Sequence, residues 1–342
     1  MFSEYEHMEN YNNVIKFLKT DVVSGIQFIA LEKIHGTNYS FLCDGTNVTP
    51  CKRSSSLGTD SSYYGHGEPF MRYKNDIISI FNYIKQITTL KSDLVSIKQI
   101  QLYCELFGGN FKGKTNKGYK CVQKNTNYLA SNEIMAYDLK LTFDDNSYIY
   151  YDMSKLIELF GMLTLNLKLV PIVKIGFLHE IMALNPKFIT NVPKIFNLED
   201  IEDNFAEGYV VKPMNEMKFN NDECSRLIFK YKNPSFLEVI KDINPVKKTA
   251  SIKQIYLDKL KVYVTKNRFN NLVTKYVDDW LNAVITQDIE LMLIQKFSDD
   301  IKVDFIKDHE LDEDFSIEYL NTTDKALNGF LTGFVKKIIH IR

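Results

Sequence analysis

The sequence has no Cys-x-x-Cys pair, no long apolar run and no excess of charge of either sign. Its five cysteines, Cys43, Cys51, Cys104, Cys121 and Cys224, are scattered. Such spacing argues against a zinc site and a disulfide framework, and it fits a reducing compartment. No stretch approaches the roughly 20 apolar residues of a membrane-spanning helix. Residues 1–13 are polar and acidic, without the apolar core of a secretion signal. The expectation is a soluble, cytoplasmic protein with no membrane partner. Lysine and arginine total 42 against 43 acids, a net charge of −1. Nothing global advertises a polyanionic partner, so any basic surface has to be local.

What is present is a chain of 342 residues, 45% hydrophobic and 25% charged, long enough for two domains with separate cores. A helical lead-in surrounds Val14-Ile15-Lys16-Phe17-Leu18 and closes at Ser24-Gly25. Strands follow over Gln27–Glu32 and Tyr39–Cys43, and Asp44-Gly45 is a hairpin signal leading to a third strand that ends at Lys52-Arg53. Residues 69–100 are predicted helical, with Ile77, Ile80, Phe81 and Ile84 at helical spacing. A strand over 101–109 runs into a double glycine, and 110–124 is a lysine-rich loop. Further strands are expected at 134–139, 147–151, 206–213 and 227–232, whereas 152–200 shows no clear period. The pattern changes at Asp242-Ile243-Asn244-Pro245. From Ser251 it is helical, with Phe269, Leu272, Val273, Tyr276, Val277, Trp280, Leu281 and Val284 forming an apolar stripe. The expected division is an α+β, antiparallel-sheet domain over 1–243 and an all-α domain over 244–342.

The chemistry centres on Leu31-Glu32-Lys33-Ile34-His35-Gly36-Thr37-Asn38. A lysine at the end of a buried strand, followed by a glycine-containing bend, is a candidate nucleophile beside a backbone that can approach an anion. Such an amine can attack phosphorus and form a covalent intermediate. Nucleotidyl transfer through lysine also needs groups for the ribose, a ring for the base, a metal carboxylate and cations on the phosphates. Taken singly, each candidate also has a plain structural reading. Arg53 is a hairpin-end residue, Glu105 a solvated strand end, Tyr137 a core aromatic, and Lys230 with Lys232 a solvated strand face.

Together these residues resemble the motifs of ATP-dependent RNA ligases of the nick-sealing, double-stranded RNA ligase family, typified by phage and RNA-editing ligases, within the covalent nucleotidyltransferase superfamily. Six motifs occur in order. Lys33 matches the adenylated lysine, and Glu32, Ile34, His35 and Asn38 match its nucleotide-binding flanks. Lys52-Arg53 resembles the motif whose arginine contacts ribose and phosphate. Glu105, in Cys-Glu-Leu-Phe-Gly-Gly, resembles the glutamate that accepts from the ribose hydroxyl, and Tyr137 sits where the family places a ring over adenine. Glu207, in Glu-Gly-Tyr-Val-Val-Lys-Pro, matches the metal-organising carboxylate. Lys230 and Lys232 match the lysines that act on the nucleotide phosphates.

The resemblance implies an α+β nucleotidyltransferase fold (an ATP-grasp-like ligase adenylation domain) followed by a small helical domain. It also implies ATP, magnesium or manganese as cofactors, and RNA with 3′-hydroxyl and 5′-phosphate ends as partner, sealed by a monomer. Thr37, Arg268 and Asp288 are implied RNA-binding residues; Met292, with Glu290 nearby, stands where a second acid would follow Asp288. DNA ligases and capping enzymes carry Lys-x-Asp-Gly followed by arginine and a β-barrel domain. His35, Asn38 and the helical tail here point to the RNA branch. The alternatives are another covalent nucleotidyltransferase, a DNA ligase or capping enzyme, and an inactive nucleic-acid-binding module. Lys112, Lys114, Lys117, Lys120 and Lys124 read either as a solvated face or as a track for a nucleic-acid backbone. Lys247, Lys248 and Lys253 are a second such stretch.

Overall fold

The apolar run before Lys33 forms a strand whose residues from Phe28 onward are buried on both faces, and a strand of that kind needs cover on each side. The computed structural model describes residues 2–11, 14, 18, 23, 25–58, 62–89, 96–218, 226–236, 252–280, 282–309 and 323–341. These fall into two units, Met1–Pro234 and Ser235–Arg342. The expected boundary near Pro245 lies outside the described residues, as do Cys224, Lys247, Lys248, the Lys253 side chain and most of the N-terminal lead-in.

The first unit contains β1 (Glu9–Asn10), β2 (Gln27–Glu32), β3 (Thr37–Cys43), β4 (Val48–Lys52), β5 (Ile97–Gly108), β6 (Asn132–Phe143), β7 (Tyr148–Tyr150), β8 (Lys168–Leu169), β9 (Ile172–Phe177), β10 (Gly208–Pro213) and β11 (Phe229–Lys232). Its helices are α1 (Gly67–Thr89), α2 (Met153–Met162), α3 (Leu178–Met182) and α4 (Val192–Ile195). One sheet has the order β1-β11-β10-β2-β9, and the other the order β4-β3-β5-β6-β7 with β8 also on β6. Pairing is antiparallel except for β1 on β11 and β8 on β6. This is the expected α+β architecture with antiparallel sheets. The Asp44-Gly45 hairpin forms as expected, with Asp44 Oδ1 accepting from the backbone of Thr46 and Asn47.

Alternation along β2 divides its side chains between two cores. Phe28 and Ala30 pack with Tyr209, Val211, Phe229, Val14 and Leu18. Ile29 and Leu31 join the larger core, which also takes Phe41, Leu102 and the inward face of α1. In register, Leu31 lies opposite Val210 and Ile29 opposite Lys212, while Val210 and Gly208 lie opposite Lys230 and Lys232. One face of this sheet therefore carries Lys212, Lys230 and Lys232, with Lys33 next in the alternation of β2.

A buried charge cluster ties that face to the other sheet. Asp138 of β6 is fully buried and lies 3.0 Å from Lys212 Nζ and 2.9 Å from Arg226 Nη2. Tyr5 OH also donates to Asp138 at 2.7 Å, and Arg226 pairs with Glu216. Burial opposes the charge on Asp138, but Arg226 and Lys212 outweigh it and lower its pKa.

The second unit consists of α5 (Ile252–Lys261), α6 (Lys266–Tyr276), α7 (Gln287–His309) and α8 (Asp324–Ile341) around Leu260, Phe269, Phe297, Leu327 and Val335. Thr265 caps α6 by accepting from Arg268 N at 3.1 Å. Two sequence expectations change. The helix expected over 69–100 ends at Thr89, and Ile97–Ile100 already belong to β5, because continuous β apolar runs and buried helix segments look alike over a few residues. The stripe expected from Phe269 to Val284 outruns its helix, for α6 ends at Tyr276; Val277 and Trp280 still join this core, whereas Val284 is 84% exposed.

Removing one member of a buried ion cluster strands the others. Asp138→Ala is expected to destabilise the first unit by about 3–5 kcal/mol in chemical denaturation. A cost below that of an ordinary surface substitution would show that Lys212 and Arg226 find other partners.

Candidate active site

Glu207 is the hub of the site. By strict alternation it would share the Tyr209 face, away from the lysines. Gly208 follows at φ +137°, where a Cβ would lie 2.3 Å from Tyr231 O, and this backbone turns Glu207 toward the other side. Its Oε2 lies 2.8 Å from Lys33 Nζ and 3.3 Å from His35 Nδ1, and its Oε1 lies 3.0 Å from Lys232 Nζ. Burial works against the charge, but Lys33, Lys232 and His35 hold the carboxyl well below the usual carboxylate range. Lys33 N donates to Gly208 O at 2.9 Å, so the Lys33 backbone and side chain bind two consecutive residues, Gly208 and Glu207.

The turn after Lys33 is set from the second sheet. Gly36 N donates to Glu105 Oε1 at 3.1 Å, and a Cβ on Gly36 would come within 2.3 Å of Leu106 O. His35 N donates to the buried Tyr128 hydroxyl at 2.8 Å. Burial pushes the Glu105 carboxyl up to about 8, with Glu207 adding to the rise while Lys33, Gly36 N–H and Arg53 oppose it. Arg53 is exposed just past β4, and its charge reaches Glu105.

Asn38 pairs with Glu105 across β3 and β5, and its Nδ2 donates to Tyr137 OH at 2.7 Å. The β5–β6 register shifts from Tyr103↔Asp138 to Cys104↔Ala136, leaving Tyr137 as the extra residue of a bulge. A bulge re-aims neighbouring side chains. It accounts for the adjacent Tyr137 and Asp138 both reaching polar partners on other strands, Tyr137 through Asn38 and Asp138 through Lys212.

The remaining sequence candidates are less central. Glu32 is buried and accepts from Thr190 Oγ1 and from Asn191 N at 2.9 Å, so its carboxylate ties β2 to the segment before α4. Ile34 sits in the larger core. Thr37 Oγ1 and Tyr63 OH share a hydrogen bond of 2.7 Å. Lys230 is half-buried on β11 with Lys232. In the second unit, Arg268 is 4% exposed and pairs with Asp300 at 2.9 Å and Asp304 at 2.7 Å, holding α6 to α7. Asp288 is exposed in the first turn of α7.

Sequence reasoning did not single out Tyr128, Lys212, Asp138 or Tyr5. Val-Val-Lys-Pro carried a signal, since a lysine one residue before a strand-closing proline falls on the same alternating face as Lys230. Tyr128 and Tyr5 carried none, because a tyrosine that supplies one hydroxyl to a distant backbone or carboxylate has no local pattern.

The set comprises a lysine amine against a buried carboxylate, a second lysine on the same carboxylate, a half-buried glutamate on the Lys33 turn, and an aromatic ring bonded to Asn38. It offers a nucleophile, cationic help for phosphate charge and acceptors for a sugar hydroxyl. A family model described as RNA ligase matches residues 26–232, which run from β2 to the last residue of β11. The chain belongs to the RNA ligase family. The matched segment contains every candidate in the first unit from Lys33 to Lys232, and it leaves out Arg268 and Asp288.

Among solved structures, the chain is similar to the Naegleria gruberi RNA ligase. Against a mutant of that ligase with ATP and Mn, it is 15% identical with a TM-score of 0.44, covering 69% of this chain and 57% of that one. A second mutant, with AMP and Mn, matches at 16% identity and a TM-score of 0.44. The chain thus spans less than two thirds of those ligases.

The raised pKa of Glu105 has a stability consequence with a definite sign. Between the ordinary carboxylate range and about 8, the folded state keeps a proton that the unfolded chain has lost, so this group's contribution falls as pH rises through that window. Glu105→Gln keeps an acceptor for Gly36 N–H and removes the titration. Its melting temperature relative to wild type is expected to climb from pH 5 to pH 8 and level off above, in paired thermal scans. A difference independent of pH would mean that Glu105 does not titrate there.

Proposed function

We propose that this protein is an ATP-dependent RNA ligase that joins 3′-hydroxyl and 5′-phosphate RNA ends and acts on nicks in duplex RNA. The observation that carries the reading is the convergence of Lys33, His35 and Lys232 on buried Glu207, inside the segment that matches the family. Lys33 Nζ attacks the α-phosphorus of ATP, loses its proton, and displaces pyrophosphate to give a lysyl-AMP phosphoramidate. An oxygen of the RNA 5′-phosphate then attacks the same phosphorus and breaks the P–N bond. Finally the 3′-hydroxyl attacks the 5′-phosphorus, AMP leaves, and a phosphodiester forms.

Each residue has a part in this scheme. Tyr137 offers its ring to adenine with Asn38 on its hydroxyl, Glu32 and Ile34 flank Lys33 in the nucleotide site, and Glu105 and Arg53 hold the ribose and its phosphate. His35 and Lys232 steer Glu207, and Lys230 and Lys232 offset charge that develops on the phosphoryl oxygens. Among the described residues, no three acid, histidine or cysteine side chains converge as a metal cage. Magnesium rarely needs one, since it is commonly held by one or two carboxylates together with substrate phosphates and water. Glu207 fits as the protein ligand for Mg²⁺ or Mn²⁺. Such an ion, when bound, neutralises phosphate charge as a Lewis acid.

The first unit serves as the adenylyltransferase domain and contributes Thr37 to RNA binding, and the helical region helps to position RNA through Asp288 and the Arg268-braced α6. The protein works as a cytoplasmic monomer in this reading.

The test is α-labelled ATP with magnesium or manganese, followed by denaturing electrophoresis, alongside Lys33→Ala. Label on wild type and none on the variant is expected. Wild-type protein that takes no label, and that mass spectrometry shows to carry no AMP adduct, would leave the inactive binding module in place of the ligase. Labelling by GTP would favour a capping enzyme. Sealing of all-DNA nicks alone would favour a DNA ligase.

A further inference from the structure

Residues 110–124 contain five lysines and no acid, in a protein whose net charge is −1. Exposed lysines on a loop are usually just solvated. Here the loop is a built structure and not a loose excursion. Phe111 and Lys114 exchange backbone hydrogen bonds of 3.0 and 2.9 Å, Asn110 N donates to Leu129 O at 2.8 Å, and Asn116 N donates to Ala130 O at 3.1 Å. Asn132 receives Lys120 N at 3.1 Å and donates back to Lys120 O at 2.7 Å. Thr115 Oγ1 donates to Gly109 O at 2.6 Å, and Tyr119 OH donates to Glu68 at 3.0 Å. Groups fixed this way bind a partner with less loss of freedom than groups on a disordered tail.

The loop is also fastened to the turn that carries Lys33. Gln123 Nε2 donates to Gly36 O at 3.4 Å, and Tyr128, a few residues on, takes His35 N. Lys120 is half-buried, and the other four charges divide into two groups. Lys112 is held by Glu199 at 2.8 Å. Lys114, Lys117 and Lys124 are exposed and have no acidic partner among the described residues. The loop has two aromatics, both half-buried and tied within the protein, Phe111 with Lys112 Nζ 5.8 Å from its ring centroid and Tyr119 with its hydroxyl on Glu68. Fixed positive charge that outnumbers the aromatic rings suits a sugar–phosphate backbone better than unstacked bases.

We propose that Lys114, Lys117 and Lys124 form a phosphate-binding surface that holds the RNA backbone beside the junction and leads it to the Lys33 turn. This rests on the RNA ligase reading above. It assigns the local basic surface that the balanced overall charge requires.

The experiment uses the full chain with Lys114→Glu, Lys117→Glu and Lys124→Glu combined, a milder triple glutamine variant, and a control that reverses Lys85, Lys98 and Lys168. Two quantities are read: label from α-labelled ATP without RNA, and affinity for a nicked RNA duplex over a range of salt. The glutamate variant is expected to take label like wild type. It should bind RNA on the order of tenfold or more weakly at physiological salt, with a log affinity against log salt slope shallower by about 2–3. The glutamine variant should fall between, and the control should bind like wild type. Equal weakening by the control would reduce the effect to net charge and overturn the proposal. So would wild-type affinity in the glutamate variant while labelling persists, an outcome that leaves the ligase reading intact. RNA binding lost by the glutamate variant in a protein that never takes label would instead keep the surface and remove the ligase reading.

Discussion

One buried carboxylate organises this molecule's chemistry. Glu207 is reached by Lys33 from the end of β2, by His35 from the following turn and by Lys232 from the end of β11. A carboxylate this deeply buried is tolerable only if its partners surround it, since an unpaired buried charge costs far more than any single contact returns. The pairing constrains both strand ends and the glycine at position 208. It also holds the Lys33 amine against the carboxylate.

A second buried carboxylate does the corresponding work between the sheets. Asp138 gathers Lys212, Arg226 and Tyr5, and Lys212 also donates to Tyr137 O at 3.3 Å. The candidate base-stacking ring is thus tied through its own backbone to the sheet that carries the lysines. Tyr5 packs edge-on against that ring, with centroids 5.1 Å apart. The basic loop over 110–124 shows the same economy, with its backbone fixed and only a few charges left facing solvent.

Much of the first unit was legible residue by residue. Asp44-Gly45 marked its hairpin because few other residues fit that turn. Phe28 to Leu31 marked a central strand because an uninterrupted apolar run has to be covered on two sides. The region 152–200 was not legible, and it supplies β9, the neighbour of β2, along with α2 to α4. Short strands and one-turn helices are stabilised by what they pack against, so their own residues show no strong period. The end of α1 was hidden because the apolar start of β5 reads like more helix, and Val284 lies past a helix end that its spacing did not show.

The sequence by itself determined the order of the candidate site residues, from the Lys33 motif through Glu105, Tyr137 and Glu207 to Lys230 and Lys232. It determined on which strand face the paired lysines lie, because side-chain alternation is a property of the backbone alone. Only the tertiary structure decided that Glu207 turns to the lysine side, that Glu32 turns to Thr190 and Asn191, and that Arg268 is committed to Asp300 and Asp304. Those choices depend on a positive backbone angle, on long-range partners and on how far burial raises the cost of an unmet charge. None of these is a local property of the chain.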